Sequence, residues 1–316
     1  MRRHTRHSLI STAPPQALYD LAADVGRWPS VFAPSVAAHH LERGELSERF
    51  RLWASVGGEV KTWVSRRALD PFNLRIRFDQ EVSAPPIASM GGEWIFESLP
   101  GGGTEIVLLH DFTAVDDDPA ATDWINAALD RNSPVELAAL ARIAELAAGL
   151  GADVGDLVFS FSDTVDLECS PEEAYAFVHR ADLWPERLPH VRRVELTEDA
   201  AGVQEMEMDT VTADGSAHTT RSVRICVPGE RIAYKQLVPP RLLLGHSGVW
   251  RFGGSGAGAG ARVTAEHTVA IDPAAVREVL GEQATLADAR RYLREVLGAN
   301  SRTTLATAGR AAASAG

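Results

Sequence analysis

The chain repeats one pattern at a fixed separation of 156 residues (184 − 28). The segment PPQALYDLAADVGRWP, which contains Trp28, returns as SPEEAYAFVHRADLWP, which contains Trp184. Further along, Trp94 in GGEWIF and Trp250 in SGVWRF keep the same separation. Solenoid repeats have periods of about 20–50 residues, so a period this long predicts two copies of a whole domain, each with its own core.

Length and composition agree with a two-domain globular protein. The 316 residues suit two domains of ordinary size. Three glycines, Gly149, Gly151 and Gly155, mark a linker, so we expect domains at residues 1–150 and 156–316. The chain has no apolar run of about 18 residues and no apolar signal segment, which predicts a cytoplasmic protein with no membrane span.

The charge and the motifs exclude several classes of function. A net charge of −12 disfavours nucleic-acid binding, which needs a basic surface. Walker, GxGxxG, HExxH, nucleophile-elbow and CxxC motifs are absent, and Cys169 and Cys226 lack metal-ligand spacing. We therefore expect no cofactor and no metal. An acidic partner would need a local basic patch, and two arginine clusters either supply one or are simply solvated: Arg2, Arg3 and Arg6, and Arg187, Arg192 and Arg193.

Each copy follows the same order of predicted elements. Alternating apolar residues in RHSLIST and LVFSFSDTVDLE indicate an opening strand. A short helix follows, and Ser170, Pro171 and Glu173 form a typical helix start in the second copy. Five to six strands separated by glycine and proline turns come next, including turns at Asp214-Gly215 and in the glycine-rich segment 253–260. Ala- and Leu-rich helices at 124–150 and from about 273 to 297, or as far as 313, close the copies.

This order predicts an α+β fold of two tandem helix-grip domains. An antiparallel sheet needs one apolar face covered, and a long amphipathic helix is a natural cover. Each domain is therefore expected to be a curved antiparallel sheet wrapped around its C-terminal helix, with an interior cavity where inward side chains do not fill the space.

Polar residues fall on one face of the predicted strand VKTWVSRRAL. Alternate strand residues point the same way, so Trp63, Ser65 and Arg67 share a face. The matching strand of the second copy places these residues on one face: His218, Thr220, Ser222 and Arg224. An inward arginine is costly without a partner. Each arginine thus points outward, binds a ligand oxygen or pairs with a carboxylate, for which the candidates beside Arg67 are Glu59, Glu93 and Asp111.

The remaining candidates are aromatic and titratable residues. The four repeated tryptophans are either core or cavity wall, because large aromatics dominate cores without any catalytic role. His218 and His246 of the second copy have no counterpart in the first and are candidates for acid–base chemistry, since histidine titrates near neutral pH. Tyr234 is a further candidate. His110 and His267 also lie in predicted strands, where a single histidine is more often a surface or satisfied core residue.

These features resemble the didomain aromatase/cyclases of bacterial type II (aromatic) polyketide synthases, within the START/Bet v 1-like superfamily. The tandem arrangement, the paired tryptophans and the segments RWPSVFAP, KTWVSRR and GGEWIF carry the resemblance. It implies a cofactor-independent polyketide cyclase/dehydratase in antibiotic biosynthesis. Such an enzyme would direct C7–C12 first-ring aldol closure, dehydrative aromatisation, or both, on a poly-β-ketone. The implied partners are the acyl carrier protein that holds the chain and other subunits of the synthase.

The resemblance also assigns roles to residues. Arg67 would hold a carbonyl or enolate oxygen in the first pocket by a charge-assisted hydrogen bond. The catalytic set expected over both pockets is Arg67, Arg224, Ser65 and His218. The substrate-binding set is Trp28, Trp63, Trp94, Trp184, Ser222, Tyr234, His246 and Trp250.

Two other functions fit the same fold. A non-catalytic START-like carrier of an apolar small molecule or lipid would have a nearly apolar cavity with few convergent polar groups. An interaction protein would have filled cavities and a large exposed apolar patch. The cyclase interpretation differs from both because it requires Arg67 or Arg224 to point inward.

Overall fold

In the computed structural model, the described residues are 1–211, 217–256 and 260–313. The chain divides into two compact units, Met1–Leu157 and Val158–Gly316. The turn expected at Asp214-Gly215 lies outside the described residues, as does the centre of the glycine-rich segment 253–260.

The first unit is built on one antiparallel sheet. Its strands are β1 Arg3–Ser11, β2 Ser35–Arg43, β3 Ser47–Val56, β4 Glu59–Asp70, β5 Arg75–Val82, β6 Ile87–Ser98 and β7 Thr104–Ala114. They lie in the order β1-β7-β6-β5-β4-β3-β2, so β2 to β7 form a meander and the first strand adds to the last. Strand β2 corresponds to an apolar stretch after the first helices that the sequence did not identify as a strand.

The helices of the first unit are α1 Pro15–Ala23, α2 Trp28–Val31, α3 Pro119–Gly149 and α4 Val154–Leu157. The Asp118 side chain caps α3 by accepting hydrogen bonds from the backbone N–H groups of Ala120 and Ala121. Helix α3 buries apolar residues at spacings of three and four, including Leu137, Leu140 and Ile143, so it covers one face of the sheet. It packs on β1 and β7.

The second unit repeats this architecture. Its strands are β8 Val158–Leu167, β9 Val191–Glu198, β10 Val203–Val211, β11 Ala217–Val227, β12 Arg231–Val238, β13 Leu243–Gly254 and β14 Ala261–Ile271, in the spatial order β8-β14-β13-β12-β11-β10-β9. Its helices are α5 Pro171–His179, α6 Trp184–Arg187, α7 Pro273–Leu280 and α8 Leu286–Ala313. The predicted helix start is confirmed, because Ser170 and Glu173 form a capping box at α5.

The closing helix of the second unit differs from the expectation. The sequence predicted one helix from about 273, whereas the structure has α7 and α8 separated by a short turn. Gly281 follows α7 with a φ of 102°, a backbone conformation that glycine adopts without strain. The long helix that packs on β8 and β14 is therefore α8.

Strand parity agrees with the sequence. In β4, Ser65 and Arg67 are buried while Arg66 and Ala68 are exposed. In β11 the agreement is partial, because Ser222 and Arg224 are buried but Val223 between them is buried as well, and His218 of the predicted face is exposed. Both cysteines are buried and free. The α+β class with two tandem helix-grip units is confirmed. None of the helices in the described ranges is both long enough and apolar enough to span a bilayer.

Candidate functional site

The first unit contains a cavity of about 120 Å³ between the sheet and the helices. Its volume is close to the roughly 150 Å³ of an engineered protein cavity that binds benzene, so it suits one six-membered ring. The wall is mainly aromatic and aliphatic, with Trp28, Phe32, Phe50, Leu52, Ala54, Trp63, Phe78, Met90, Trp94 and Leu108. The polar lining residues are Ser35, Ser65, Arg67, Gln80, His110 and Glu136. A cavity with this many convergent polar groups is unlike that of a carrier for an apolar molecule.

Arg67 points inward at the end of this cavity and is 1% exposed. Its Nε donates to Glu48 across 2.7 Å, and its Nη1 donates to the carbonyl oxygen of Ala22 across 2.8 Å. Nη2 donates to the carbonyl of Ala23 and to Glu48. The guanidinium also lies 5.0 Å from the ring centroid of Trp28. Arg67 therefore ties the last carbonyls of α1 to the sheet, and all but one of its N–H groups have a described partner.

The carboxylate that pairs with Arg67 is Glu48, which differs from the expectation. Glu59, Glu93 and Asp111 were the expected carboxylates, but Glu48 lies directly opposite Arg67 in the β3–β4 register. Glu48 is buried and also bonds His40 Nε2 at 2.8 Å. Burial raises the pKa of Glu48, but hydrogen bonds and charge from His40 and Arg67 outweigh it and leave that pKa lowered.

Two polar atoms at the cavity lack hydrogen-bond partners in the described part of the chain. They are Nδ1 of His110 on β7 and Oε1 of Gln80 on β5, and both are buried. Burial lowers the pKa of His110 to about 4, so its ring is neutral at pH 7. Because an unpaired buried polar atom costs roughly 1–3 kcal/mol, these atoms are suited to hydrogen bonds with a bound molecule.

Glu136 is the cavity residue that sequence reasoning missed. It is half-buried on α3 and has no ion pair or hydrogen bond to any described residue. Burial raises its pKa to about 7. A carboxyl group that is half-ionised near neutral pH, beside a cavity, is suited to general acid–base chemistry. The available signal was its place on the apolar stripe of α3, four residues before Leu140 and seven before Ile143.

The second unit holds its arginine in the same way, with one change. Arg224 is 3% exposed and donates to the carbonyl oxygens of Val178 and His179 at the end of α5. Where the first unit has Glu48, the second has Gln204, whose Oε1 accepts from Arg224 across 2.8 Å. Gln204 in turn donates to Glu198 at 3.0 Å. The buried ion pair of the first unit is thus replaced by a neutral link.

The predicted residues of the second unit divide into groups. Trp184 and Trp250 are core residues, and the Arg224 guanidinium lies over the Trp184 ring, 5.5 Å from its centroid. Tyr234 and His246 do meet: the tyrosine oxygen lies 3.4 Å from His246 Nε2. The oxygen of Ser222 is buried without a described partner.

His218 is not brought together with these residues. It is exposed near the start of β11, and its ring contacts the Thr210 hydroxyl at 3.0 Å. It lies four residues, or about 13 Å along the strand, from Ser222. The expectation that His218 is an inward catalytic residue is therefore wrong, because His218 lies at the exposed end of β11.

His110 and His267 were identified from the sequence only as single strand histidines, and their equivalence in the two units was missed. In the first unit Gly92 pairs with Phe78 on one side and His110 on the other; in the second, Gly248 lies between Tyr234 and His267. His110 and His267 are thus equivalent. The signal was present in the sequence, but their separation of 157 residues (267 − 110) is one more than the main repeat.

The arginine clusters favour the solvated alternative. Arg2 pairs with Asp111 and Arg6 with Glu105. Arg193 contacts three carboxylates, on Glu195, Glu207 and Asp209. These cations are largely matched by neighbouring anions. In the described ranges, no cluster of three or more His, Cys, Asp or Glu residues is arranged to hold a metal ion.

The chain is similar in sequence and in structure to known proteins along nearly its whole length. Residues 11–118 and 167–289 match the family described as polyketide cyclase/dehydrase and lipid transport. The actinorhodin polyketide synthase bifunctional cyclase/dehydratase of Streptomyces coelicolor is 57% identical over 316 residues, covering 97% of this chain and 96% of that protein. The granaticin counterpart of Streptomyces violaceoruber is 53% identical over 309 residues, covering 98% and 94%. The crystal structure of the di-domain ARO/CYC BexL, from the BE-7585A biosynthetic pathway, is 45% identical with a TM-score of 0.80 and covers 98% of both chains.

Proposed function

The chain belongs to the polyketide cyclase/dehydrase and lipid transport family, and we propose that it is a bifunctional cyclase/dehydratase of a type II polyketide synthase. Relatives with this activity in their names align along nearly its whole length, which supports an enzyme of aromatic polyketide antibiotic biosynthesis. The other subunits of such a synthase are its partners. The finer proposal is C7–C12 first-ring closure, dehydrative aromatisation, or both, on a chain delivered by an acyl carrier protein.

The polar lining of the first cavity carries this proposal. Arg67, Ser65, His110 and Glu136 converge on a space walled by tryptophan and phenylalanine. A carrier of lipid would gain nothing from two polar atoms and a carboxyl group that have no partners among the described residues, because each lowers the affinity for an apolar ligand. A poly-β-ketone in its enol form carries hydroxyl groups that donate and carbonyl oxygens that accept, so it can form hydrogen bonds with Gln80 Oε1, His110 Nδ1 and the Glu136 carboxyl group. The alternative function as a non-catalytic carrier is therefore disfavoured.

The chemistry follows from these positions. Ionised Glu136 takes a proton from a methylene group between two carbonyls, and the resulting enolate carbon attacks a second carbonyl of the same chain. A carbon–carbon bond forms, and the attacked oxygen is stabilised by the positive charge of Arg67 before it takes a proton to become a hydroxyl group. That proton comes from Glu136, which returns to its ionised state, and the product is a cyclised β-hydroxy ketone.

The walls of the cavity provide orientation. Trp28, Phe32 and Trp94 pack in sequence, with Phe32 and Trp94 stacked at a centroid distance of 6.2 Å. This rigid aromatic surface, in a space the size of one ring, favours the folded conformation in which the reacting carbons meet. Orientation of this kind contributes several kcal/mol to intramolecular reactions.

Reconstitution with a minimal polyketide synthase, with and without a ketoreductase, tests the proposal. Wild-type protein should shift the products, read by mass spectrometry, from spontaneously cyclised mixtures to a single aromatised first ring. Glu136→Gln should slow ring formation on the order of 10²-fold, the usual contribution of a general base. Asp123→Asn, which changes an exposed carboxylate on the same helix, is the matched control.

Ser65→Ala tests the cavity without disturbing the anchor of α1. It should redistribute products toward alternative ring closures. Arg67→Ala is less informative, because it also leaves Glu48 buried without its partner. A product profile that is identical with and without the wild-type protein would overturn the proposed function.

A further inference from the structure

The second unit contains a cluster of buried polar side chains, Tyr234, His246 and His267, that contact one another. The Tyr234 oxygen lies 2.9 Å from His267 Nδ1, and His246 Nε2 lies 3.1 Å from the same nitrogen. On the outer side of this cluster, His267 Nε2 is 2.8 Å from the hydroxyl of Ser301 on α8. His246 Nδ1 is 2.9 Å from Gln236 Oε1.

The first unit has the same framework without this connection. At the positions of Tyr234 and His246 it has Phe78 and Met90, each 156 residues earlier (234 − 78, 246 − 90). His110, the equivalent of His267, has an Nδ1 with no hydrogen-bond partner in the described part of the chain. At this place the two units differ in two side chains, while the strand pairing around Gly92 and Gly248 is the same. The second unit has the phenol of Tyr234 and the imidazole of His246 where the first has the phenyl ring of Phe78 and the thioether of Met90.

Gly248 makes the cluster possible. It lies between Tyr234 and His267 in the sheet register, and a Cβ atom there would be 2.5 Å from the Tyr234 oxygen. The missing side chain lets the tyrosine reach across β13 to the histidine on β14. A residue with any side chain at this position would displace the phenol.

The hydrogen bonds allow the proton of Tyr234 to point in either direction. Gln236 Oε1 can only accept, so His246 donates from Nδ1 and has a free lone pair on Nε2. Ser301 can donate or accept, so both neutral tautomers of His267 are satisfied. In one, Tyr234 donates to His267 Nδ1. In the other, His267 donates from Nδ1 to His246 Nε2 and occupies its lone pair. The first tautomer is therefore the one that leaves His246 Nε2 free as a base, and there the Tyr234 hydrogen can turn from His267 Nδ1 to a bound molecule.

Burial keeps the three groups neutral. It lowers the pKa of His246 to about 3, with His267 adding to the effect, and lowers the pKa of His267 to about 4. It raises the pKa of Tyr234, which therefore retains its proton. In this resting state the imidazole of His246 has a lone pair that can accept a proton and the phenol of Tyr234 has a proton to give. The imidazolium and phenolate formed by such an exchange would lie 3.4 Å apart, so that their opposite charges stabilise each other until the proton returns.

We propose that Tyr234 and His246 form a second acid–base site that dehydrates a cyclised β-hydroxy ketone, an assignment that rests on the proposed function. His246 Nε2 takes the proton from the carbon next to the ketone, and Tyr234 gives its proton to the hydroxyl on the following carbon. The carbon–oxygen bond breaks, a carbon–carbon double bond forms and water leaves. The proton on His246 returns to the Tyr234 oxygen, 3.4 Å away or through His267, and the cluster regains its starting state.

Neighbouring residues complete the site. Ser222, on β11 opposite Gln236, has a buried hydroxyl with no partner among the described residues, and it is suited to the ketone oxygen of the substrate. Tyr234 is half-buried, whereas both histidines are almost completely enclosed, so Tyr234 is the group nearest to solvent. His267 and Ser301 act through the other two and are positioning residues.

The replacements Tyr234→Phe and His246→Met install the residues of the first unit and test the site. In the reconstituted synthase, each should slow water loss on the order of 10²-fold. A cyclised product one water heavier than the wild-type product should accumulate, while the rate of ring closure is unchanged. Tyr292→Phe, which removes an exposed hydroxyl from α8 in the same unit, is the matched control. Ser301→Ala should slow dehydration less, and Ser301→Thr, which keeps the hydroxyl, should restore it.

The outcomes separate this inference from the proposed function. Wild-type product formed at the wild-type rate by folded Tyr234→Phe and His246→Met proteins overturns the second site but leaves the cyclase assignment standing. Loss of ring closure itself in both variants also overturns it, because the cluster would then serve the first step. If Tyr234→Phe does not fold, as judged by circular dichroism, His246→Met decides the question.

Discussion

Glu48 and Gln204 occupy equivalent positions in the two units, and each accepts a hydrogen bond from the buried arginine on the next strand. In the first unit the contact is a buried ion pair between Glu48 and Arg67. In the second it is an amide that links Arg224 to Glu198. In both, the arginine also binds the last carbonyls of a short helix. The two units thus share the hydrogen-bond geometry around the buried arginine, but the accepting side chain is charged in the first unit and neutral in the second.

This equivalence predicts unequal effects of two substitutions at Glu48. Glu48→Gln should cost little stability, because the second unit already uses glutamine in the same geometry. Glu48→Ala should lower the free energy of unfolding by about 3–5 kcal/mol, since it leaves the buried Arg67 guanidinium with neither the charge nor the hydrogen-bond acceptor that Glu48 supplies to its Nε and Nη2. Urea denaturation of both variants measures the difference. Equal losses for the two variants would show that the carboxylate charge itself is required.

Glu136 predicts a stability change with the opposite dependence on pH from that of most carboxylates. Burial raises its pKa from 4.5 to about 7 in the folded state. The unfolded chain therefore releases this proton first, and the wild-type protein loses stability as the pH rises from 4.5 through 7. Glu136→Gln should match the wild type at pH 4.5 and exceed it at pH 8 by up to about 3 kcal/mol. A constant difference between the two denaturation midpoints at all pH values would contradict the assignment.

Much of the fold was predictable because it depends on local periodicity. The repeat predicted two units, the alternation in β4 predicted that Ser65 and Arg67 share a face, and both are buried. The partner of Arg67 was not predictable in this way. Glu48 meets it through the pairing of β3 with β4, which is set by the turn at Gly57 and Gly58 between them, and no local pattern reports that register.

The site was less predictable than the fold because its residues come together across the sheet. Tyr234, His246 and His267 lie on three successive strands, and their contact depends on the missing side chain of Gly248. Glu136 was hidden for a different reason. Its helix is rich in alanine and leucine, so the pattern indicated an ordinary amphipathic helix, and a single carboxylate on the apolar face was overlooked.

Gly92 on β6, which lies between Phe78 of β5 and His110 of β7, should be intolerant of substitution. A Cβ at Gly92 would collide with the backbone oxygen of Leu109 and would lie 2.5 Å from the ring of Phe78. Gly92→Ala should therefore destabilise the protein by about 1–3 kcal/mol, the usual cost of overpacking a core. Gly101→Ala is the control, since open space surrounds that position in a turn. Thermal denaturation compares them, and equal midpoints would refute the predicted collision.

The neutral histidine cluster predicts sensitivity to acid that His246→Met should reduce. Burial and the neighbouring His267 lower the pKa of His246 from 6.5 to about 3. The unfolded chain takes up a proton below pH 6.5 that the folded protein refuses, so the wild type loses stability as the pH falls from 6.5 toward 3. The loss attributable to one such histidine is about 1.4 kcal/mol per pH unit. The difference in unfolding free energy between wild type and His246→Met, measured by urea denaturation, should change by about this slope between pH 6 and 4.5 and be constant above pH 7.5. Parallel curves across the acid range would mean that His246 takes up its proton at the same pH in the folded and unfolded chains, which would contradict a buried neutral imidazole at this position.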